Sequence, residues 1–341
     1  MKSRFIALTA ILILCSIGWT FAWNYLSGQA EVKFTQILGR AQSSGVKVSC
    51  INPETSGFPF RLSISCSSPS YESKNGVGIA AANMHAQAFV YRPQHQVVDF
   101  KSPAEIKIGK FGKLQLTWET ARLGSELSTN GVSGATARIE GAKLTPIDPP
   151  QQFSGLALTA NRTLVSARVS DQEGEENALY LGLQSTQMEV TSPAYRLPPI
   201  DADGVMLAYD MAPIMKGKVR NPMRYWVSNG GEADIKGVSL RSGEAEIYTK
   251  GWLKLDNQGF ISADLDVDAV QLIAFFNQLG AEFQQIQAIG GVLSGVIDQL
   301  GEDVTLNERP AKRVKISIRR GFVSVGLIPL FAIPQIDVER L

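Results

Sequence analysis

The sequence predicts a mainly β protein with a few helices, built on one large antiparallel sheet that is either curved or sandwich-like. Apolar and polar residues alternate with period two from Val46 to about Asp266, which is typical of strands with one buried face. Turn residues such as Asn130-Gly131 separate these runs at short intervals, with few helical patterns between them. Neighbouring strands are therefore expected to pair antiparallel.

The N-terminus predicts a membrane anchor. Residues Phe5 to Ala22 carry no charge and follow the basic Lys2 and Arg4. As a helix these 18 residues would be about 27 Å long, close to the thickness of the hydrocarbon core of a bilayer. Aromatic residues, which favour the lipid–water interface, cluster at the far end of the run: Trp19, Trp23 and Tyr25.

The charge pattern gives the anchor an orientation. Positive charges stay cytoplasmic, so the chain from Glu31 onward is expected outside the cytoplasm. A signal peptide cleaved at Gly28-Gln29-Ala30 is the alternative, and it exports the same residues. We divide the chain into a transmembrane anchor (1–26), a juxtamembrane helix (27–45) and a β-rich domain (46–341).

Two cysteines predict a disulfide in the first hairpin. Cys50 and Cys66 each end an alternating run, and Asn52 to Gly57 supplies turn residues between the runs. Outside the cytoplasm such a pair persists as a disulfide. Two buried free thiols are the alternative, because spacing alone does not fix the geometry.

Two later segments depart from the simple alternation. The stretch 268–300 predicts a pair of helices, with Asp268 as the N-cap of the first and Gly280 as its stop. The apolar segment Ile328 to Pro334 contains two prolines and predicts an edge or an extended end. Because two helices cannot cover so large a sheet, the sheet either folds on itself as a sandwich or curves into a trough with an open apolar face.

The composition excludes several classes of function. A net charge of +1 without a basic run argues against a nucleic-acid partner. Three cysteines and two histidines are too few for most metal centres, and His85 and His95 are expected to be exposed polar residues. Asp264, Asp266 and Asp268 alternate along one run but lack the other features of a calcium loop, so we expect a solvated outer face. We predict no cofactor, no metal and no catalytic residues, hence no enzyme.

Three features together resemble the bacterial family called domain of unknown function 2125: the anchor, the segment GVKVSCINPETSGFPFRLSISCSSP and the closing KRVKISIRRGFVSVGLIPLFAIP. The most specific element is the motif Gly57-Phe58-Pro59-Phe60-Arg61. We expect Phe58 and Phe60 to anchor this motif in the core, and Arg61 to pair with a carboxylate or a headgroup phosphate.

The layout is also similar to that of AsmA-like envelope proteins. That similarity implies a single-pass anchor in the inner membrane, a periplasmic body and a role in lipid handling. We therefore expect a non-enzymatic protein that binds or guides lipid or another apolar ligand. The alternative is an adaptor that binds another envelope protein through a sheet edge or the Ile328-to-Pro334 segment.

Overall fold

The computed structural model describes residues 2–43, 46–73, 76–108, 112–129, 131–149, 154–175, 177–193, 196–217, 219, 221–271, 295, 297, 299–326 and 328–338. The described helices are α1 (Lys2–Ser43), α2 (Ala212–Met215) and α3 (Pro222–Ser228). The strands are β1 (Lys47–Ser56), β2 (Arg61–Glu72), β3 (Val77–Phe89), β4 (Arg92–Ile108), β5 (Lys113–Thr117), β6 (Thr120–Ser128), β7 (Gly131–Ile147), β8 (Ala157–Val169), β9 (Leu179–Thr191), β10 (Ile200–Ala208), β11 (Glu232–Ser242), β12 (Ala245–Leu255), β13 (Ile261–Val270), β14 (Glu302–Leu306), β15 (Arg309–Arg319), β16 (Phe322–Val325) and β17 (Ile328–Ala332).

All 17 strands belong to a single antiparallel sheet, as the alternation predicts. Neighbours in sequence are neighbours in space from β1 to β4 and from β7 to β13. Strands β5 and β6 lie end to end between β4 and β7. β15 pairs with β13 along one side, and along its other side it pairs with β14 and β16.

The sheet has two free edges in the described part of the chain, and the chain as a whole is more exposed than a compact protein. Among the described pairings, β1 pairs only with β2 and β17 pairs only with β16. The chain exposes 21302 Å², whereas a compact monomer of its 37.0 kDa is expected to expose about 13,600 Å². A sheet closed face to face would hide far more surface, so the structure favours the open trough.

Helix α1 lies beside the free edge of the sheet. It is continuous over 42 residues, about 63 Å, and a window within it is long and apolar enough to cross a membrane. Near its C-terminus, Gln42 Nε2 donates to the carbonyl of Val48 at 2.9 Å. Near its middle, Trp19 Nε1 and Trp23 Nε1 donate to the carbonyls of Pro59 and Arg61 at 2.9 and 3.0 Å. These contacts cover the exposed edge of β1 with a helix.

The first hairpin forms, but its turn lies further along the chain than the sequence predicts. β1 continues through Asn52 and Pro53 to Ser56, and the chain reverses at residues 57–60, where the Arg61 N–H donates to the Gly57 carbonyl at 2.9 Å. The edge position explains the difference: an edge strand tolerates a proline and a bulge, and the β1–β2 register shifts on both sides of Ile51.

Two further predictions have different outcomes. Asp268 lies inside β13, which runs to Val270, so its assignment as a helix N-cap was wrong; most of the predicted helical pair lies outside the described residues. The edge prediction for Ile328 to Pro334 is confirmed, since β17 is the last strand and Pro329 lies within it.

Apolar cores form only in the β10–β17 half of the described sheet. One groups Trp226 and Val227 of α3 with Ala208, Ala233 and Leu255. The other groups Ala263, Ile318 and Val323. Thus α3 and the C-terminal segment cover one end of the sheet, while the described part of the β1–β9 half has no comparable cluster.

Candidate functional site

One face of the sheet carries continuous rows of uncharged and mostly apolar residues, and we call it the apolar face. Directly paired residues of neighbouring strands point to the same side of a sheet. Following the register from strand to strand therefore shows which residues share a face. One such row crosses eleven strands from β2 to β13: Cys66, Met84, Phe100, Ala121, Ile139, Thr163, Ser185, Ala202, Leu240, Ile247 and Ala269.

A second row on the same face lies two residues away. It contains Ile64, Ala86, Val98, Leu123, Ala137, Val165, Leu183, Gly204, Val238, Thr249 and Val267. Neither row holds a charged residue. In the first row, the hydroxyls of Thr163 and Ser185 hydrogen-bond to each other at 2.9 Å, so this polar pair satisfies itself.

The middle of the apolar face is open to solvent. Leu123, Val165, Leu183 and Leu240 are 37–47% exposed. Fully burying a side chain of this type is favourable by about 1.5–3 kcal/mol relative to leaving it exposed. Several half-exposed side chains in one continuous face form an exposed apolar patch and not a scatter of single apolar residues.

At the β1 edge, the apolar face forms a cavity of about 440 Å³. The Cys50–Cys66 disulfide is part of its wall, which confirms the predicted bond. Phe34 and Leu38 of α1 close one side of the cavity. The rest of the lining comes from the first strands and includes Tyr71, Ile79, Met84, Phe100, Leu116, Trp118, Leu123 and Ile139. A cavity of this size and lining is suited to an apolar ligand.

The motif Gly57 to Arg61 lies against α1 and not in a core, so the predicted burial of its aromatic rings was wrong. Phe58 and Phe60 are 52% and 60% exposed. Phe58 makes an edge-on contact with Trp23, and Phe60 lies 6.5 Å from Trp19 between ring centroids.

The two ends of the motif have separate roles. Gly57 has φ of +108°, and a Cβ there would lie 2.7 Å from the Arg61 carbonyl oxygen, so the turn requires glycine. The Arg61 guanidinium lies over the Phe89 ring at 5.6 Å, and no ion pair to a carboxylate is found for it in the described part of the chain.

A second turn comes to the same place on α1. Val90 and Tyr91, between β3 and β4, line a cavity of about 880 Å³ together with Phe58, Pro59, Phe60 and residues of α1 from Leu12 to Thr20. We call Phe58, Pro59, Phe60, Val90 and Tyr91 the turn cluster. All of it lies beside the apolar part of the helix.

The opposite face of the sheet is polar and contains a serine, a histidine and an aspartate in one row. Ser65, His85 and Asp99 are direct cross-strand neighbours, and Ser65 Oγ lies 2.9 Å from His85 Nδ1. The Asp99 carboxylate accepts a hydrogen bond of 2.6 Å from Arg122. The cavities of about 440, 880 and 60 Å³ include none of the three residues. Nucleophilic catalysis typically uses an enclosed site with oxyanion donors, and none of these three residues lines one of these cavities.

Two of the three aspartates of β13, Asp264 and Asp268, form ion pairs. Asp268 receives two hydrogen bonds from Arg313, and Asp264 receives hydrogen bonds from Ser317 and Arg319. Asp268 is buried, so the expected solvated face was wrong at that position. No group of three potential metal ligands is found among the described residues.

The shifted pKa values mark structural hydrogen bonds. The Ser317 hydroxyl, with help from Arg319, lowers the pKa of Asp264. A 2.7 Å hydrogen bond to Asp234, together with burial, raises the pKa of Tyr209 to about 12. A hydrogen bond to Asp268 raises the pKa of Arg313. In each case the partner is a neighbouring residue of the sheet or of its loops.

Sequence reasoning found the disulfide and the motif, and it offered an open apolar face as one of two alternatives, but it did not identify the residues that form this face. The alternation within each strand was visible, yet the alignment of one strand with the next depends on bulges and turn lengths.

The comparisons with known proteins leave the biochemical role open. No curated protein matches the chain at a significant level. Residues 23–334 match the family model described as "Uncharacterized protein conserved in bacteria (DUF2125)", and the chain belongs to this family.

Proposed function

We propose that this protein is held in the bacterial inner membrane by α1, with its sheet in the periplasm, and that it is a non-enzymatic protein that binds lipid acyl chains on its apolar face. The observation that carries the proposal is the pair of uncharged rows, which remain half-exposed at their centre and end in the 440 Å³ cavity. Apolar surface of this extent is unfavourable in water unless something covers it.

Three features support the location. Helix α1 has the length and composition of a membrane span. Its basic residues precede the apolar run, which favours export of the body. The Cys50–Cys66 disulfide is the kind of bond that persists outside the cytoplasm.

The shape of the site favours acyl chains over a compact ligand. The two rows extend across eleven strands, and neighbouring strands are about 4.8 Å apart, so the apolar face is several tens of ångströms wide. A long, flexible hydrocarbon chain matches a continuous uncharged strip. A small rigid ligand would fill only the cavity at the edge.

The test is native mass spectrometry of the full-length protein, extracted gently from its membrane. We expect one or more bound lipid masses. Leu123 lines the cavity, and Leu123→Glu places a charge there; it should reduce the lipid-bound fraction at least tenfold. Leu164→Glu is the matched control, because Leu164 lies on the polar face beside Arg138 and Gln184. Lipid-free wild-type protein, or equal loss in both variants, would contradict the proposal.

An adaptor role has one specific observation in its favour. β17 is an edge strand, and its Ile328 and Phe331 side chains are exposed. An exposed edge can receive a strand from another envelope protein. A photo-crosslinking residue at Phe331 should then capture one discrete protein in intact cells. A result without any protein adduct would remove this alternative.

A further inference from the structure

We propose that the turn cluster inserts into the bilayer leaflet on the body's side of the membrane, so that the protein contacts the membrane through the first two hairpins as well as through α1. The inference rests on α1 spanning the membrane, as proposed above, but not on lipid being bound in the 440 Å³ cavity. It places the start of β2, which leads up to the apolar face, beside the acyl chains.

The depth follows from the contacts with α1. Pro59 and Arg61 receive hydrogen bonds from Trp19 and Trp23, which lie at the end of the apolar run. The larger cavity shared with the turn cluster extends along the helix to Leu12. From Trp19 to Leu12 the helix descends about 10 Å, and this distance lies wholly within the uncharged run. The turn cluster is therefore beside residues expected in the hydrocarbon.

The composition of the cluster suits that position. Phe58, Phe60 and Tyr91 are 52%, 60% and 66% exposed, which is costly in water and favourable in the interfacial region. Arg61 and Arg92 are the first residues of β2 and β4, directly after these rings in the chain. Long basic side chains next to interfacial aromatic rings suit a bilayer interface, because their cations can reach the level of the phosphates.

The lengths of the elements agree with strands that rise from the membrane along α1. β1 has ten residues and spans about 33 Å. The part of α1 between Trp23 and Gln42, which contact the two ends of this hairpin, spans about 29 Å. β1 therefore extends alongside α1, from the Gln42 contact with Val48 down to the Trp23 contact with Arg61 near the membrane.

An acyl chain that leaves the bilayer would have an apolar path to the cavity. Leu62 and Ile64 follow the turn cluster on the same face of β2, and Cys66 at the cavity wall comes next. From Phe60 to Cys66 the strand rises about 20 Å. The turn cluster thus joins the hydrocarbon of the leaflet to the apolar face without crossing a charged residue on this face of β2.

The experiment measures the depth of single labelled positions in the full-length protein. The protein is reconstituted in vesicles of phosphatidylethanolamine and phosphatidylglycerol. A polarity-sensitive fluorophore is attached to a cysteine at Tyr91→Cys in a Cys15→Ser background, and lipids spin-labelled in mid-chain act as quenchers. Val77→Cys is the matched control, since it lies about 40 Å away at the other end of β3. Both side chains are exposed, so neither change should disturb folding.

We expect at least threefold stronger quenching at position 91 than at position 77. Equal, weak quenching at both positions would overturn the inference. The free Cys15 of the wild-type chain, labelled in the same way, reports on α1. Quenching at Cys15 without quenching at position 91 would reject the insertion of the turn cluster and leave the anchor in place. Absence of quenching at Cys15 would reject the anchor, and the inference with it.

Discussion

Two cross-strand ion pairs on the polar face differ in burial, and this difference predicts a large contrast in stability. Asp268 lies directly opposite Arg313, and Asp99 lies directly opposite Arg122. The shortest contacts are 2.5 and 2.6 Å. The carboxylate side chain is 5% exposed in the first pair and 33% in the second.

The expected magnitudes follow from the environment of the arginine that is left behind. Removing one partner of a buried pair costs about 3–5 kcal/mol, because the remaining charge is desolvated. Arg313 keeps 29% of its side-chain exposure, so we expect about 2–4 kcal/mol for Asp268→Asn. Exposed pairs contribute about 0.2–1 kcal/mol, so Asp99→Asn should cost less than about 1 kcal/mol.

The assay must resolve parts of the sheet, because each strand contacts little beyond its neighbours and a single global transition is not assured. Hydrogen exchange followed by mass spectrometry on the full-length protein gives this resolution. Peptides from β13 and β15 should lose protection in Asp268→Asn, and peptides from β4 and β6 should change little in Asp99→Asn. Equal losses in the two variants would refute the argument from burial.

Three further predictions concern single contacts. Cys50→Ser opens a loop of 16 residues, which should destabilise β1 by about 3 kcal/mol, seen as faster hydrogen exchange there. Gly251 has φ of +148°, and a Cβ there would lie 2.1 Å from a backbone oxygen. Gly251→Ala should therefore lower the free energy of unfolding by more than about 2 kcal/mol, measured by denaturant titration. The control Gly124→Ala, whose Cβ would lie 3.9 Å from the nearest atom, should change it by less than about 0.5 kcal/mol. The pKa of Tyr209 is raised to about 12, so its neutral hydroxyl stabilises the folded protein. This contribution is fully present below about pH 10, the pKa of an unperturbed tyrosine, and is lost as the pH rises through about 12. Asp234→Asn should lower the pKa of Tyr209, which an ultraviolet titration measures.

The first hairpin shows what local pattern can and cannot establish. The alternation around Cys50 and Cys66 predicts two strands and a disulfide, and both are present. The turn was misplaced because Asn52 and Pro53 are turn residues by composition. In an edge strand, however, a proline costs no ladder hydrogen bond on its free side. For β1, whether such a proline marks a turn or an edge strand depends on the rest of the sheet, and the local residues favoured the turn.

Long-range pairing also explains why the residues of the apolar face and the position of Asp268 could not be predicted. Asp268 was assigned to a helix start because an aspartate before an apolar run is a common N-cap. Its partner Arg313 lies 45 residues later, so the ion pair that makes a buried aspartate acceptable in a strand is a long-range contact. The apolar rows likewise join residues from Ile64 to Val267, and only the accumulated register brings them into line.

The disulfide and the long helix lie at the β1 edge, in the half of the described sheet that lacks a buried core cluster. The β10–β17 half has two buried clusters and is covered by α3 and the C-terminal segment. The described β1–β9 half has its apolar face open, so it gains less from burial and depends more on its hydrogen-bond ladder. The Cys50–Cys66 bond and the contacts of α1 with β1 restrain this half at its free edge, where fraying would begin. Such restraint keeps the apolar face in shape while it is unoccupied, and a ligand that covers the face adds stability where the chain has least of its own.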